Sequence, residues 1–271
     1  MTANSLYSNF VDAADDNGNI KNDRDNLDYI KTLAGGIIRY DLINELSAGA
    51  VYPIIGGTAF SHKFNFMNPV DSDAAFRLSY FGGLNHSSDG ILSNGTTGYM
   101  NTFINPLLNL EPLSTNVSTY IKSSPANARS TIMLGANDNG GSKFFYLKNS
   151  SAAVNSTKIY LSTNSGTTQG VNMVSPPLNA LLGYFAGNLK SNVASLWNGS
   201  KKLSTTNAPL SSNTQPNLPI YVFAQNQLGV GAVSFDTKLI NYLSIGAGLT
   251  ETKAIQLSNL VYYMQGIKNR Q

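Results

Sequence analysis

The sequence lacks several residues on which common chemistries depend. It contains no cysteine among 271 residues, two histidines, one tryptophan and three glutamates. The absence of cysteine excludes disulfides, thiolate metal sites and cysteine nucleophiles. Charged residues make up 12% of the chain, against about 25% in ordinary soluble domains, and Asn, Ser, Thr and Gly take their place. Such a surface is polar but nearly neutral, so it attracts charged partners only weakly over distance.

The charge pattern and the apolar pattern exclude two further classes of partner. The net charge is +3, and the densest basic spot is the pair Lys201-Lys202, so we expect no nucleic-acid partner, which would need a larger basic patch. No apolar run approaches the roughly 18 residues that span a bilayer, and we expect no membrane insertion. Residues 1–18 lack the basic region and the apolar stretch of a secretion signal. Export by a classical route is therefore not expected.

Helical periodicity is confined to the two ends of the chain. In residues 23–46, leucine and isoleucine recur at spacings of three and four, which predicts one helix broken at a Gly-Gly pair, or two short ones. Residues 251–265 repeat the pattern, with Thr250 placed to cap the first turn. We expect this second helix to pack at the edge of a sandwich. Residues 1–22 are polar and predict an arm rather than a folded unit.

Between these ends the apolar period changes from near 3.6 to 2. Short runs rich in aromatic and β-branched residues alternate with Gly, Asn, Ser and Pro, which is typical of strands joined by turns. Many such strands predict a sandwich or barrel rather than βαβ units. In residues 219–225 both alternating faces are apolar, with Val222 on one and Tyr221 and Phe223 on the other, which favours a central strand. Residues expected to be mostly buried are Phe76, Leu78, Tyr120, Ile132, Leu134, Ile159, Tyr184, Val222 and Ile245.

Three stretches carry a family resemblance. Residues 50–106 contain a Tyr-Pro-x-x-Gly-Gly turn that leads into strands, residues 193–203 form a strand–Asn-Gly–strand segment, and residues 242–271 combine a closing strand, a Gly-Ala-Gly-Leu-Thr turn and a terminal helix. Together they resemble the concanavalin-A-like, laminin-G-type jelly rolls of tailed-bacteriophage structural proteins. The resemblance implies an all-β fold, a jelly-roll β-sandwich of two antiparallel sheets with an N-terminal helical segment and a C-terminal helix. It also implies a place in the virion.

The jelly-roll fold also hosts glycoside hydrolases, which need two carboxyl groups facing one cleft. None of the three glutamates lies on an expected strand, and no Gly-x-Ser-x-Gly elbow for a nucleophilic serine is present. Asp71 and Asp73 share a face at a spacing of two, but their Pro-Val-Asp-Ser-Asp context is typical of a turn. The sequence therefore favours a protein that is not an enzyme.

Binding residues are expected in loops, where a rigid sandwich presents its recognition groups. Residues 82–98 read as a long glycine-rich loop in which His86, Asp89 and Asn94 suit sugar hydroxyls. Trp197, before an Asn-Gly hairpin tip, offers either a sugar-stacking platform or a packed core residue. Laminin-G relatives sometimes carry calcium, and Asp89 and Asn94 with backbone carbonyls are the candidate ligands. No other metal or cofactor is expected.

The resemblance and the polar arm lead to a functional hypothesis. We expect Leu6, Tyr7 and Phe10 to contact another polypeptide, so that residues 1–49 serve assembly and residues 50–271 form the sandwich domain. The expected function is that of a virion structural protein, an adhesin or decoration of tail, fibre or head, assembled in the host cytoplasm. Its partners would be other virion proteins, copies of itself in an oligomer such as a trimer, and a host-surface glycan. A soluble carbohydrate-binding lectin is the alternative, and a jelly-roll glycoside hydrolase comes third.

Overall fold

The structure, a computed structural model, combines two β-sheets with a layer of helices. It describes residues 1–123, 131–138, 143–149, 156–160, 171–174, 182–207 and 215–271, and of residues 149, 156–160, 171–174 and 206 it describes only the backbone. The helices are α1 (Ala3–Ala14), α2 (Arg24–Arg39), α3 (Ile43–Ser47), α4 (Ala59–His62), α5 (Pro106–Asn109) and α6 (Glu251–Ile267). The strands are β1 (Ala50–Tyr52), β2 (Ser79–Phe81), β3 (Leu84–Ser87), β4 (Gly90–Ser93), β5 (Tyr99–Asn101), β6 (Ser114–Ser123), β7 (Ile132–Asn137), β8 (Phe144–Asn149), β9 (Ser156–Tyr160), β10 (Val171–Val174), β11 (Gly183–Lys190), β12 (Val193–Asn198), β13 (Lys201–Asn207), β14 (Tyr221–Val222), β15 (Gln225–Gln227), β16 (Gly231–Val233) and β17 (Leu239–Gly246).

The two sheets are almost wholly antiparallel, as predicted. Sheet A has the strand order β13-β12-β11-β6-β17-β4-β3, with β1 beside β17. Sheet B has the order β10-β9-β8-β7-β14-β5-β2, and β15 and β16 extend it beside β7. The pairing of β15 with β7 is parallel, because the chain reverses after β14 at Phe223, whose φ is 64°. The short strand β14 lies between β5 and β7, so the prediction of a central strand is confirmed.

The main core lies between the two sheets. Inward-facing side chains of sheet A, such as Val117 and Leu243, share one apolar cluster with Met100 and Phe145 of sheet B. This arrangement confirms the predicted sandwich. Seven of the nine residues expected to be buried are buried: Leu78, Tyr120, Ile132, Leu134, Tyr184, Val222 and Ile245. Phe76 is half-buried against this core. The side chain of Ile159 lies outside the described residues.

A second core lies on the opposite face of sheet A. Tyr120, Tyr184 and Tyr242 share a cluster there with side chains of α1, α2 and α6. The helices therefore form a third layer over this face, and the expectation that the C-terminal helix packs at the sandwich edge is wrong. Helix α6 contacts both β11 and α2. The physical reason is that α6 carries apolar residues on more than one side, including Leu260, and needs partners below and beside it.

Residues 1–22 are folded and do not form an arm. The side chain of Thr2 caps α1 by accepting a hydrogen bond from the backbone N–H of Ser5 at 3.2 Å. Leu6 and Phe10 are 3% and 1% exposed, and Tyr7 packs half-buried against the same cluster. Leu6 and Phe10 are covered by the chain's own helical layer, which contradicts the prediction that they contact another polypeptide, whereas for the half-buried Tyr7 that contact stays a prediction. Their spacing is that of an amphipathic helix, which the sandwich itself can cover.

The predicted helical segment 23–46 contains two helices, but the break lies elsewhere than expected. Helix α2 runs through both glycines and ends before Asp41, whose φ is 52°. A Cβ on Gly36 would lie 2.5 Å from a methyl carbon of Leu260, so this glycine permits the close approach of α6. The Thr250 cap of α6 is as predicted, with its hydroxyl accepting from Lys253 N. The division of the chain at residue 50 stays a prediction.

Candidate functional site

Residues 82–98 form a hairpin and a tight turn rather than the predicted loop. His86 lies on β3, which pairs with β4, and Asp89 lies in the turn between them. The carboxylate of Asp89 accepts from Lys122 Nζ at 2.6 Å. The side-chain oxygen of Asn94 accepts three backbone N–H groups at 3.0 Å, from residues 96, 97 and 98. Asp89 therefore joins the hairpin turn to β6, and Asn94 closes the turn that follows β4.

The predicted calcium ligands do not come together. Asp89 precedes β4 and Asn94 follows it, so the two side chains lie at opposite ends of that strand. In the part of the chain that the structure describes, no group of three or more His, Asp or Glu side chains is arranged to hold a metal. The calcium expectation is not supported, because the hairpin separates the two oxygen donors.

Trp197 is a packed residue and not an exposed platform. It is 2% exposed, and its indole N–H donates to Ser195 Oγ at 2.9 Å. A groove of about 170 Å³ passes beside it along β11, β12 and the start of α6. Within that groove Lys202 binds Glu251 at 2.5 Å, and Asn188 binds the backbone of Leu249. Most of its polar groups are therefore engaged with one another.

The acidic pair that the sequence raised as a catalytic candidate binds cations of the same chain. Asp71 accepts from Lys63 at 2.7 Å and from Arg77 at 2.8 Å, and Asp73 accepts from Arg77 at 2.8 Å. Lys63 first, and then Arg77, lower the pKa of Asp71. The arrangement is an ion-paired turn ahead of β2, as the turn interpretation of this segment predicts.

Four aromatic side chains form a ladder on the outer face of sheet B. They are Phe81 of β2, Tyr99 of β5, Tyr221 of β14, and Phe235. Phe81 and Tyr99 are directly paired across their strands, with ring centroids 4.8 Å apart and 10° between the ring planes. Tyr221 stacks on Tyr99 from the other neighbouring strand at 4.7 Å and 29°, and Phe235 tilts against Tyr99 at 6.3 Å. We call these four residues the aromatic ladder.

Strand alternation explains why the ladder faces outward. Met100 and Val222 belong to the core between the sheets, and Tyr80 packs against that core. Because successive side chains of a strand point to opposite faces, Phe81 and Tyr99 must point away from it. The same argument holds for Tyr221.

The ladder is partly open to solvent. Phe81 is 43% exposed, and Tyr99, Tyr221 and Phe235 are half-buried. Burial, and then the neighbouring Tyr99 phenol, raise the pKa of Tyr221. Its hydroxyl, like that of any tyrosine near neutral pH, is protonated and can donate a hydrogen bond. Exposed apolar patches of this kind mark interaction sites.

The turn at residues 94–97 borders the Phe81 end of the ladder. Gly83, two residues beyond Phe81, donates its N–H to Thr97 Oγ1 at 3.2 Å and accepts from Asn94 N at 3.0 Å. Asn94, Thr96 and Thr97 are exposed. The stacked rings thus adjoin a group of hydroxyl and amide side chains that carry no charge.

Sequence reasoning missed the ladder, although it singled out one member. Tyr221 was placed on a shared face with Phe223, but the positive φ of 64° at Phe223 breaks the alternation. Phe223 turns into the core at 1% exposure while Tyr221 stays outside. The recurring signal was one outward aromatic residue in each of three short strands, which becomes visible only once the strand order is known.

A further groove lies between two helices of the outer layer. It encloses about 570 Å³ between α2 and α6 and is lined by residues that include Arg39, Tyr40 and Tyr263. No side chain lining it has a buried polar atom left without a partner. Among the described helices none is long and apolar enough to cross a membrane.

Comparison with known proteins identifies the fold. No protein-family model matches the chain, and no curated protein matches it. The binding domain of botulinum neurotoxin serotype D/C VPI 5993 is similar in structure, with a TM-score of 0.57 at 12% identity over 83% of this chain and 53% of that one. The binding domain of botulinum neurotoxin DC in complex with SialylT has a TM-score of 0.51 at 14% identity over 70% and 48%. A mutant of Trypanosoma rangeli sialidase displaying trans-sialidase activity has a TM-score of 0.51 at 10% identity over 87% and 40%.

This chain spans about half, or less, of the length of these three structures. At such low identity the likeness concerns the fold. It confirms the predicted β-sandwich of concanavalin-like type, as found in these binding and sialidase proteins.

Proposed function

We propose that the chain is a glycan-binding β-sandwich displayed on a bacteriophage particle, and that the aromatic ladder is its glycan-binding surface. The observation that carries the glycan part is the stack of Phe81, Tyr99 and Tyr221 on a solvent-facing side of sheet B. Contiguous rings that remain partly exposed to water are typical of surfaces that bind a partner or ligand.

The geometry suits a sugar ring. Phe81 ends the stack, so one of its faces contacts Tyr99 while the other adds to its 43% exposure. An aromatic face carries negative potential, which attracts the weakly positive C–H groups on the flat side of a pyranose. The turn at 94–97 then offers hydroxyl and amide groups to sugar hydroxyls. Because neither ladder nor turn is charged, we expect a neutral glycan.

The virion setting rests on sequence resemblance. Residues 50–106, 193–203 and 242–271 resemble the jelly rolls of tailed-phage structural proteins, and the low charge suits a displayed surface. In this proposal the other virion proteins are its partners, and the sandwich acts as an adhesin or decoration without catalysis. The toxin and sialidase structures support the fold but carry no information about a particle.

The decisive experiment is a glycan array followed by titration of the best neutral glycan with variants. We expect Tyr99→Ala to weaken binding at least roughly tenfold, about 1.4 kcal/mol, because Tyr99 holds both neighbours in the stack. Tyr263→Ala is the matched control, since Tyr263 is a 65% exposed tyrosine on α6 outside the ladder. Wild-type affinity in Tyr99→Ala would show that the ladder is not the binding surface, and a loss confined to Tyr263→Ala would place binding in the groove between α2 and α6 that Tyr263 lines.

The rival functions predict different results. A lectin that acts alone binds the same glycan but is absent from purified particles, which immunogold labelling decides. A glycoside hydrolase shortens the bound glycan on long incubation, and mass spectrometry of the products detects this. Particle labelling together with an intact glycan supports the present proposal.

A further inference from the structure

A pair of histidines outside the proposed site carries a further inference. His62 lies in α4 and is 1% exposed, and its Nε2 accepts a hydrogen bond from Gly57 N–H at 3.2 Å. A ring nitrogen that accepts a hydrogen bond carries no proton, so the neutral ring of His62 holds its proton on Nδ1.

That proton faces a ring nitrogen of His86. The Nδ1 atoms of His62 and His86 are 3.0 Å apart, so His62 Nδ1–H donates to His86 Nδ1, and His86 carries its own proton on Nε2. This assignment also disfavours a metal between the two rings, because a metal on His62 Nδ1 would leave that ring an anion. The contact joins α4 to the β3–β4 hairpin.

The groups around the two histidines disfavour protonation of either ring. The ring of Tyr80 on β2 lies edge-on to His86 with centroids 4.5 Å apart. Arg270, 1% exposed near the C-terminus, donates to the backbone oxygens of Ile54, at 3.1 Å, and of Ser88 in the hairpin turn. The other charged or titratable groups that interact with this cluster are Asp89 with its partner Lys122, Asp23 with its partner Lys268, and Tyr29.

We propose that the His62–His86 hydrogen bond is an acid-sensitive latch that holds the β3–β4 hairpin against α4 and the C-terminal segment. A proton on His86 Nδ1 places two N–H groups face to face, and a proton on His62 Nε2 opposes the N–H of Gly57. Either protonation breaks a hydrogen bond and adds positive charge close to Arg270. The latch is therefore closed when both rings are neutral and opens when either is protonated.

The direction of the pH effect follows from the burial. Burial lowers the pKa of His62 well below 6.5 and lowers that of His86. Opening of the hairpin exposes the rings to water and moves the pKa of each towards the ordinary value near 6.5, so the open state binds more protons than the closed one in acid. The closed state is thus fully favoured above about pH 6.5 and loses stability as the pH falls below it.

The chain is well suited to a test, because these are its only two histidines. No other side chain has an ordinary pKa between about pH 5 and 8. Imidazole ¹⁵N–¹H correlation spectra of the wild-type protein should show His62 protonated at Nδ1 and His86 at Nε2. The opposite tautomer of His62, or titration of both rings near pH 6.5, would overturn the latch without any variant.

Hydrogen exchange then tests whether the hairpin opens when the histidines are protonated. Between pH 6.5 and 5, after correction for intrinsic exchange, we expect opening of residues 84–93 to rise by up to roughly tenfold per pH unit for each proton taken up. His86→Gln retains an acceptor but leaves only His62 to titrate, so its hairpin should show a shallower rise, of one proton at most against up to two in the wild type. The same rise in His86→Gln would refute the latch.

Opening of the hairpin would also release the turn at 94–97 beside the ladder. Any effect of this release on glycan binding rests on the proposed function. The exchange measurement uses no glycan, so failure of the latch and failure of glycan binding give separate results.

Discussion

The two outer faces of the sandwich carry similar residues and have opposite environments. On sheet A, Tyr184, Tyr242 and Trp197 are each at most 2% exposed beneath the helical layer. On sheet B, Tyr99 and Tyr221 occupy equivalent outward positions and remain half-open to water. The comparison teaches that an outward aromatic residue on a strand becomes core or binding surface according to what covers its sheet.

The helices that cover sheet A come from segments that are distant in sequence. Helices α1, α2 and α6 come from the two ends of the chain and meet over sheet A, where Gln265 of α6 donates a side-chain hydrogen bond to Tyr29 of α2 at 3.0 Å. The aromatic residues of sheet A consequently contribute to stability. Those of sheet B are available for recognition, and the following changes test this contrast in order of expected effect.

Removing residues 2–22 should have the largest effect. It would uncover part of sheet A and delete the buried side chains of Leu6, Phe10, Val11 and Ile20. Full burial of such side chains is worth about 1.5–3 kcal/mol each, and a domain has only about 5–15 kcal/mol in total. We therefore expect the truncated chain to unfold or aggregate at room temperature, as measured by circular dichroism and size-exclusion chromatography.

Removal of Met1 and Thr2 alone is the control for this deletion, because the Thr2 cap of α1 is worth only about 0.5–2 kcal/mol. A truncated chain lacking residues 2–22 that still melts cooperatively near the wild-type temperature would show that the helical layer is dispensable. The residues would then form the detachable arm that the sequence suggested.

The sequence predicted the β-sandwich better than it predicted which face of the sandwich the helices cover. Alternation in the strands and the Thr250 cap are local patterns, and the structure retains them. Helix α1 has 12 residues, a length at which an isolated helix is marginal in water, so its formation depends on packing that one segment cannot reveal. The same limit applies to the site, since alternation can place a residue such as Trp197 or Tyr99 on one face of a strand but does not show what covers that face.

Trp197→Ala should have the second-largest effect. Truncation of a buried tryptophan leaves a cavity and typically costs about 3–5 kcal/mol, and here it also leaves Ser195 Oγ without its indole partner. Chemical denaturation should show a lower midpoint with an unchanged slope. A loss below about 1 kcal/mol would mean that this face of sheet A is less tightly covered than its 2% exposure indicates.

Phe81→Thr should have the smallest effect on folding and a clear effect on binding. Phe81 is 43% exposed and makes one stacked ring contact, so removing it costs about 0.5–1.5 kcal/mol of pair energy. Threonine favours the strand that it would occupy and offsets part of this loss. The midpoint of denaturation should shift far less than in Trp197→Ala, while glycan affinity falls because the open end of the ladder is gone. If Phe81→Thr instead destabilises the fold as strongly as Trp197→Ala, the rings of sheet B form a core like those of sheet A, and the contrast between the two faces fails.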